Sequence, residues 1–380
     1  MKVLLAPDKF KGSLTAAEVA SHLGNGLRAR GFTVDELPLA DGGDGSVAAA
    51  VAAGFRPVPV TVAAATGRPH STRIALASTA QDTVTAVVEV ANTCGLHTLP
   101  GGRPAPLEAS SAGVGEGVRQ AVERGARRIV LALGGSASTD GGAGLLAALA
   151  VVFRDRSGRD IQIAGGALHR VATVDLTGLL DLTGIDLVVA GDVANPLTGP
   201  HGAAAVYGPQ KGASPTDVAA LDAGLQHLVD HLAVLRPDAS ALAREPGAGA
   251  AGGLGFAGLL LGGRIVSGAD CFLDLLDFDD RVTDCDVVIT GEGRIDDQTS
   301  HGKLPAVVAH RSHPRPVIAV VGRSDLSAAA AAEMGLAAVH ALTDHTDQNP
   351  AGDPALSRSL LTELARTIPL VPQRSVPSSV

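Results

Sequence analysis

Leu131-Ala-Leu-Gly-Gly-Ser-Ala-Ser-Thr-Asp-Gly-Gly-Ala-Gly144 is the stretch around which this chain is organised. Ile129 to Leu133 has the character of a buried strand, the Gly-, Ser- and Thr-rich segment after it is a loop, and the apolar run Leu145 to Phe153 leaves it as a helix. Such a junction aims backbone N–H groups and the positive end of a helix dipole at one spot, where small side chains admit an anion. Asp140 departs from that logic, because a carboxylate in an anion cradle either caps the helix or handles a metal or a proton.

The same kind of junction recurs towards both chain ends. Lys2-Val-Leu-Leu-Ala-Pro-Asp8 reads as a strand, Lys9 to Ser13 as a turn, and Leu14 to Leu23 repeats apolar residues at helical spacing. Ser13 or Thr15 caps that helix, and Glu18 stands where a capping box with Thr15 requires it. Val34 to Ala40 is a second strand, followed by Asp41-Gly-Gly-Asp-Gly-Ser46 and the Ala-rich helix Val47 to Ala53. This βαβα rhythm implies parallel pairing.

Three β-rich runs separated only by turn residues, Pro59 to Ala65, Arg73 to Ser78 and Thr83 to Val90, then imply an antiparallel meander. The first rhythm resumes with Asp286 to Thr290, Pro316 to Val321 and Ala337 to Leu342. The expected fold is therefore α/β. A doubly wound, mostly parallel domain is built from 1–60 and 285–370, an α/β domain of mixed topology is inserted over 61–284, and 371–380 forms a disordered tail.

Composition narrows the function. The net charge is −9 and no basic stripe or aromatic ladder is present, which argues against nucleic acid as a partner. Aromatic residues make up 2% of the chain and Trp is absent, so the core is aliphatic. Cys94, Cys271 and Cys285 are far apart and odd in number, as expected of buried thiols in a reducing, cytoplasmic compartment. Met1 to Asp8 is too short for a signal peptide, and the glycine-rich run Pro246 to Gly263 reads as a buried loop leading into a short helix rather than a membrane span.

Several familiar motifs are missing. Gly302-Lys303 is followed by Leu304, so there is no P-loop. Gly247-x-Gly-x-x-Gly252 does not follow a strand and is not read as a dinucleotide fingerprint. His227 and His231 lack the Glu of a zincin and are assigned to a solvated helix face.

Instead, polar residues gather where strands end, which is where open parallel sheets bind ligands. These are Asp8 to Ser13, Asp41 to Asp44, Gly134 to Gly142, Gly191 to Leu197, Gly208 to Gly212, and Gly291 to Thr299 with His301 to Pro305. Together they describe a cleft with several carboxylates, several lysines and anion cradles. That inventory suits Mg²⁺-dependent phosphoryl transfer, in which metal and cations neutralise phosphate charge and an Asp takes a hydroxyl proton.

Seven of these segments, in order along the chain, closely resemble the type 1 glycerate kinase family. They are Ala6 to Ala16, Pro38 to Ser46, Leu133 to Gly144, Asp192 to Gly199, Gly208 to Ala213, Gly247 to Gly255, and Gly291 to Thr299 with Gly302-Lys303. The departures are Lys9 where the family usually has Ser, Asp44-Gly-Ser46 where it has Glu-Gly-Thr, and Thr139 where Asn often stands. The resemblance implies an ATP-dependent, Mg²⁺-assisted kinase of D-glycerate, acting chiefly at the 2-hydroxyl. Its partners are then D-glycerate and ATP, with no nucleic acid or membrane, and with a homodimer left open.

On that resemblance each residue has a candidate role and a bland alternative. Asp192 is the candidate general base, against an Asx-turn aspartate. Gly134, Gly135, Ser136, Ser138 and Gly141 bind an anion with Asp140 near the metal or proton, against a capped buried helix start. Lys11 and Ser13 hold phosphate, against a solvated Lys and an ordinary cap. Asp8, Asp41 and Glu292 are candidate metal or ribose ligands, against strand-end acids. Arg294, Lys211 and Lys303 are candidate partners for the glycerate carboxylate or the γ-phosphate, with Asp296 and Gln298 as candidates to orient one of them, against surface cations. A ribokinase-like sugar kinase and a non-catalytic sugar-acid sensor remain the rival readings.

Overall fold

The computed structural model describes residues 1–78, 83–296 and 303–370. The chain divides into two compact units, one comprising Met1–Asp41, Ala48–Ala53 and the chain from Ala269 onward, the other Gly42–Val47 and Gly54–Gly268. The sequence rhythm sets the return to the first unit near 285, whereas contacts set it at Ala269. The helices Gly268–Leu275 and Phe278–Thr283 therefore lie almost entirely in the first unit. The tail 371–380 lies outside the described residues.

The first unit is built on a five-stranded sheet whose order is Leu336–Ala341, Val317–Val321, Val287–Gly291, Lys2–Pro7, Thr33–Glu36. Every neighbouring pair is parallel. Numbered along the unit, this is the doubly wound order 2-1-3-4-5, with its topological switch point between Lys2–Pro7 and Val287–Gly291. Both central strands are buried on both faces, Leu4 and Val288 as completely as Val3 and Val287, which explains their continuous aliphatic runs.

The helix Ala16–Arg28 packs its buried stripe, Val19, Leu23 and Leu27, together with Leu361 and Leu364 of the helix Pro354–Thr367 in one core cluster. Thr15 and Glu18 form the capping box read from the sequence. The second strand stops at Glu36 rather than reaching Ala40, because Pro38 has no N–H; Leu37 and Leu39 still donate to Leu5 and Pro7 at 2.8 and 2.9 Å.

The second unit holds a six-stranded mixed sheet, ordered Arg264–Val266, Asp186–Ala190, Ala126–Ala132, Val84–Glu89, Pro69–Ser78, Arg56–Ala63. Its last three strands are the expected antiparallel meander, and the rest pair in parallel. One expected element changes. The helix after the Gly134–Gly142 loop covers only Ala143–Ala148, and Val152–Arg154 is a strand paired antiparallel with Thr173–Asp175. Ala150 takes the left-handed conformation (φ 76°) and the Arg119 guanidinium bonds the Ala148 carbonyl, which together end the helix. An unbroken apolar run has no periodicity to mark that switch.

Pro246 to Gly263 is indeed loop followed by the short buried helix Leu254–Leu260. Among the described residues no helix is long and apolar enough to cross a membrane, and all three cysteines are buried and outside any disulfide.

Candidate active site

In the first unit, acids and bases collect at the carboxyl ends of the two strands flanking the switch point. Asp8 directly follows Lys2–Pro7 and donates its backbone N–H to the Gly291 carbonyl at 2.8 Å. Its carboxylate is nearly enclosed, at 8% residue exposure, and accepts the Lys9 backbone N–H at 2.7 Å. The Lys9 ammonium lies 3.6 Å from Asp8 Oδ1 and 4.0 Å from Asp41 Oδ1, so the two carboxylates bracket one cation. Burial pushes the Asp8 carboxyl up to about 7; the Lys9 charge pulls against this and the Asp41 charge adds to it. Glu292 follows the neighbouring strand Val287–Gly291, and its carbonyl accepts the Gly322 N–H at 3.1 Å.

Lys11 is exposed, but the Ser13 hydroxyl donates to Ser357 Oγ at 2.9 Å and so ties the loop to the helix Pro354–Thr367. The start of the helix Ala16–Arg28 is likewise taken up, since Thr15 Oγ1 accepts the Glu18 N–H and Glu18 accepts the Thr15 N–H. Ser13 thus fastens the loop, and the Thr15–Glu18 box takes up two of the backbone N–H groups at the helix start.

Further along this edge, Arg294 Nε donates to Asp325 Oδ2 at 2.7 Å and lies 3.9 Å from Asp296, which also pairs with Lys303 at 3.3 Å. Asp296 therefore lies within ion-pair distance of both cations. Gln298, His301 and Gly302 lie outside the described residues.

In the second unit the Gly134–Gly142 loop departs from an open cradle. Only Gly134 and Gly135 are not buried. Ser136 and Ser138 hydroxyls lie 3.1 Å apart, and Ser136 Oγ also accepts the Ser138 N–H. The N–H groups of Gly134, Ala137 and Gly141 go to the carbonyls of Gly42, Cys94 and Gly252. The helix it starts is a turn and a half long, too short to carry much dipole.

Asp140 is fully buried, and its carboxylate accepts four hydrogen bonds: Ser111 N–H (2.8 Å), Ser111 O–H (2.9 Å), Gly142 N–H (3.1 Å) and Gly144 N–H (3.2 Å). It fastens the starts of two helices, Ala112–Glu123 and Ala143–Ala148, and presents no surface to a metal or a proton. Burial pushes its carboxyl above the usual range, and the donors of Ser111, Gly142 and Gly144 oppose that.

Lys211 braces the loop from beneath. Its ammonium donates to the Ser138 carbonyl at 2.5 Å, and at 3% exposure it is no surface cation. Burial lowers it to about 8 against the charges of Cys94 and Asp140, and pushes the adjacent Cys94 thiol up to about 12. The glycine run closes the same loop from another side: a Cβ on Gly252 would stand 2.0 Å from the Ser138 carbonyl oxygen. The formal Gly-x-Gly-x-x-Gly match thus reflects packing.

Asp192 stands apart from this enclosure. It is exposed at the carboxyl end of Asp186–Ala190, and its Oδ1 accepts the Gly268 N–H at 2.7 Å. Nearby in sequence, Asn195 spans Tyr207 O–H and the His201 carbonyl. Sequence reasoning missed Glu89, whose buried carboxylate takes the Gly45 and Val47 N–H groups at 3.1 and 2.8 Å and so shapes the Gly-Gly-Asp-Gly-Ser loop. An acid ending a Val-rich strand was its one signal. It missed Ser111 as well, although two serines ahead of a helix are cap-like.

The sequence profile of the glycerate kinase family matches residues 3–369. The chain belongs to the glycerate kinase family. A glycerate kinase of Bacillus subtilis (strain 168) is 40% identical over 349 residues, 90% of each chain. A glycerate 2-kinase of Escherichia coli (strain K12) is 39% identical over 329 residues, 85% of each. The crystal structure of a putative glycerate kinase 2 from Salmonella typhimurium LT2 superposes with a TM-score of 0.80 at 36% identity, covering 96% of both chains. As a member of the glycerate kinase family the chain is an enzyme, a phosphotransferase. In this chain the Lys9 departure noted in the sequence is the cation between Asp8 and Asp41.

Proposed function

We propose that the protein transfers the γ-phosphoryl group of ATP to the 2-hydroxyl of D-glycerate, with magnesium. The observation that carries this reading is the collection of motif acids and cations at the carboxyl ends of parallel strands, in a chain of the glycerate kinase family. The 2-hydroxyl is favoured because the Escherichia coli relative is named a glycerate 2-kinase.

Asp192 accepts the hydroxyl proton. Its exposure suits contact with substrate, and the Gly268 N–H fixes one of its oxygens. Arg294 and Lys303 receive anionic oxygens of glycerate or ATP, and exposed Lys11 adds a third cation. The Gly134-Gly135 tip offers the only surface-reaching backbone of its loop; Ser136, Ser138, Gly141, Asp140 and Lys211 hold that tip in place from inside.

The acids also fit magnesium. Asp8 and Asp41 already bracket a cation, the Lys9 ammonium. Magnesium is commonly bound through one or two carboxylates plus substrate phosphates. Asp8 and Asp41 would hold it, with Glu292 on the same edge, and it would neutralise phosphate charge.

ADP release tests the reading across a panel of D-glycerate, L-glycerate, lactate and ribose with Mg-ATP. D-glycerate is the preferred acceptor. Faster turnover of ribose would move the assignment to a sugar kinase.

A further inference from the structure

Beyond the core sheet of the first unit, two of its strands continue as a second parallel ribbon. Gly322, Arg323 and Asp325 donate to the carbonyls of Glu292, Gly293 and Ile295 at 3.1, 3.1 and 2.9 Å, and Arg294–Ile295 pairs with Arg323–Ser324. The ribbon needs close backbone approach: a Cβ on Gly322 would stand 2.4 Å from the Gly293 carbonyl oxygen. Its register makes Arg294 and Arg323 direct partners. Side chains of partnered residues project from the same face, so two cations are set beside each other.

Like charges held together repel unless something lies between them. Here that is Asp325. Its Oδ2 accepts Arg294 Nε at 2.7 Å and its Oδ1 accepts Arg323 Nε at 2.9 Å. The Arg323 hydrogen bond, with Arg294 as a further contributor, holds the Asp325 carboxyl below the usual carboxylate range. Both arginine side chains remain 62% exposed. An exposed ion pair stabilises a fold by only about 0–1 kcal/mol, so stability is a poor reason for the arrangement. Its effect is geometric: bonding at Nε, joined in Arg323 by Nη2 at 2.9 Å from Asp325 Oδ1, fixes the guanidinium planes while the remaining terminal N–H donors serve another anion. With Lys303 and Asp296, the ion-paired set contains three cations and two carboxylates, and it lies at the carboxyl edge of the sheet.

We propose that Asp325 is a positioning residue that holds Arg294 and Arg323 side by side as a paired guanidinium clamp for an oxyanion of the reaction. The oxyanion is the carboxylate of the hydroxy acid or the terminal phosphates of the nucleotide, two sources of the same chemistry. The clamp rests on the kinase reading above, so one arm of its test does not depend on turnover.

The variants are R323Q, D325N and the conservative D325E, assayed by steady-state kinetics with both substrates and by thermal shift with tripolyphosphate or D-glycerate alone. R323Q and D325N raise the KM of one and the same substrate at least tenfold, with kcat within threefold of wild type. A rise for glycerate assigns the carboxylate and a rise for ATP assigns the phosphates. D325E restores that KM to within threefold. Unchanged KM for both substrates in R323Q and D325N overturns the clamp. If the wild type phosphorylates no acceptor, the kinase reading fails, and the clamp is judged by the anion-induced rise in Tm. Loss of that rise in both variants supports it, and an unaltered rise overturns it.

Discussion

Replacing Asp140 separates a residue that builds the site from one that performs the chemistry. Asp140→Ala would strand four donors, namely the N–H and O–H of Ser111 and the N–H groups of Gly142 and Gly144. Each buried donor left unpaired costs about 1–3 kcal/mol, though the two helix starts relax in part. A loss of about 4 kcal/mol or more is expected, which for a unit of this size lowers Tm by roughly 10 °C. Asp140→Asn keeps the shape, and with its amide oxygen in the place of Oδ2 it keeps the three donors of Ser111 and Gly144 while its NH₂ faces the Gly142 N–H, so it costs about 1–3 kcal/mol. Urea titration followed by circular dichroism measures both losses. Turnover at a temperature where D140N remains folded should stay within about tenfold of wild type, since the carboxylate touches no surface. D140N with wild-type Tm and turnover reduced a thousandfold would refute the fastening role and restore the catalytic one.

Asp192→Asn should leave Tm within about 1 °C while lowering kcat by two orders of magnitude or more, the scale of a lost general base; a wild-type rate removes Asp192 from the mechanism. Asp8 bears on pH. Because its folded value is raised to about 7, its contribution to stability is complete below the ordinary carboxyl range near 4 and is lost as pH rises through 7. In ligand-free protein without divalent ions, Asp8→Asn should flatten the decline of unfolding free energy between pH 4 and 7, and an unchanged slope would show that burial does not hold the proton there. Lys211→Met takes a donor from the Ser138 carbonyl and should cost about 1–3 kcal/mol by chemical denaturation. KM for glycerate and ATP should not move; a tenfold rise would make Lys211 a ligand contact.

Topology was the most legible part of the sequence. Alternating strand and helix patterns at both ends encode the parallel sheet, and the turn-separated β runs between them encode the meander, because both signals are local. Thr15 and Glu18 were readable for the same reason. The loop from Gly134 to Gly142 was not. Glycine, serine and threonine between a strand and a helix describe an open cradle and an enclosed brace equally well. What encloses it comes from Cys94, Lys211 and Gly252, distant in sequence, so its burial is a tertiary outcome. Asp140 was legible as a cap or a catalyst, and only the positions of Ser111 and Gly144 decide between them. The Arg294–Arg323 pairing was hidden likewise, since it depends on strand register.

Direct coupling of the reaction to enolase tests the central claim most closely, because enolase consumes 2-phosphoglycerate without a mutase. With D-glycerate and Mg-ATP, phosphoenolpyruvate should form as fast as ADP when enolase alone is added. ADP formation that yields phosphoenolpyruvate only after a phosphoglycerate mutase is supplied would contradict transfer to the 2-hydroxyl, and no ADP at all would contradict the kinase assignment.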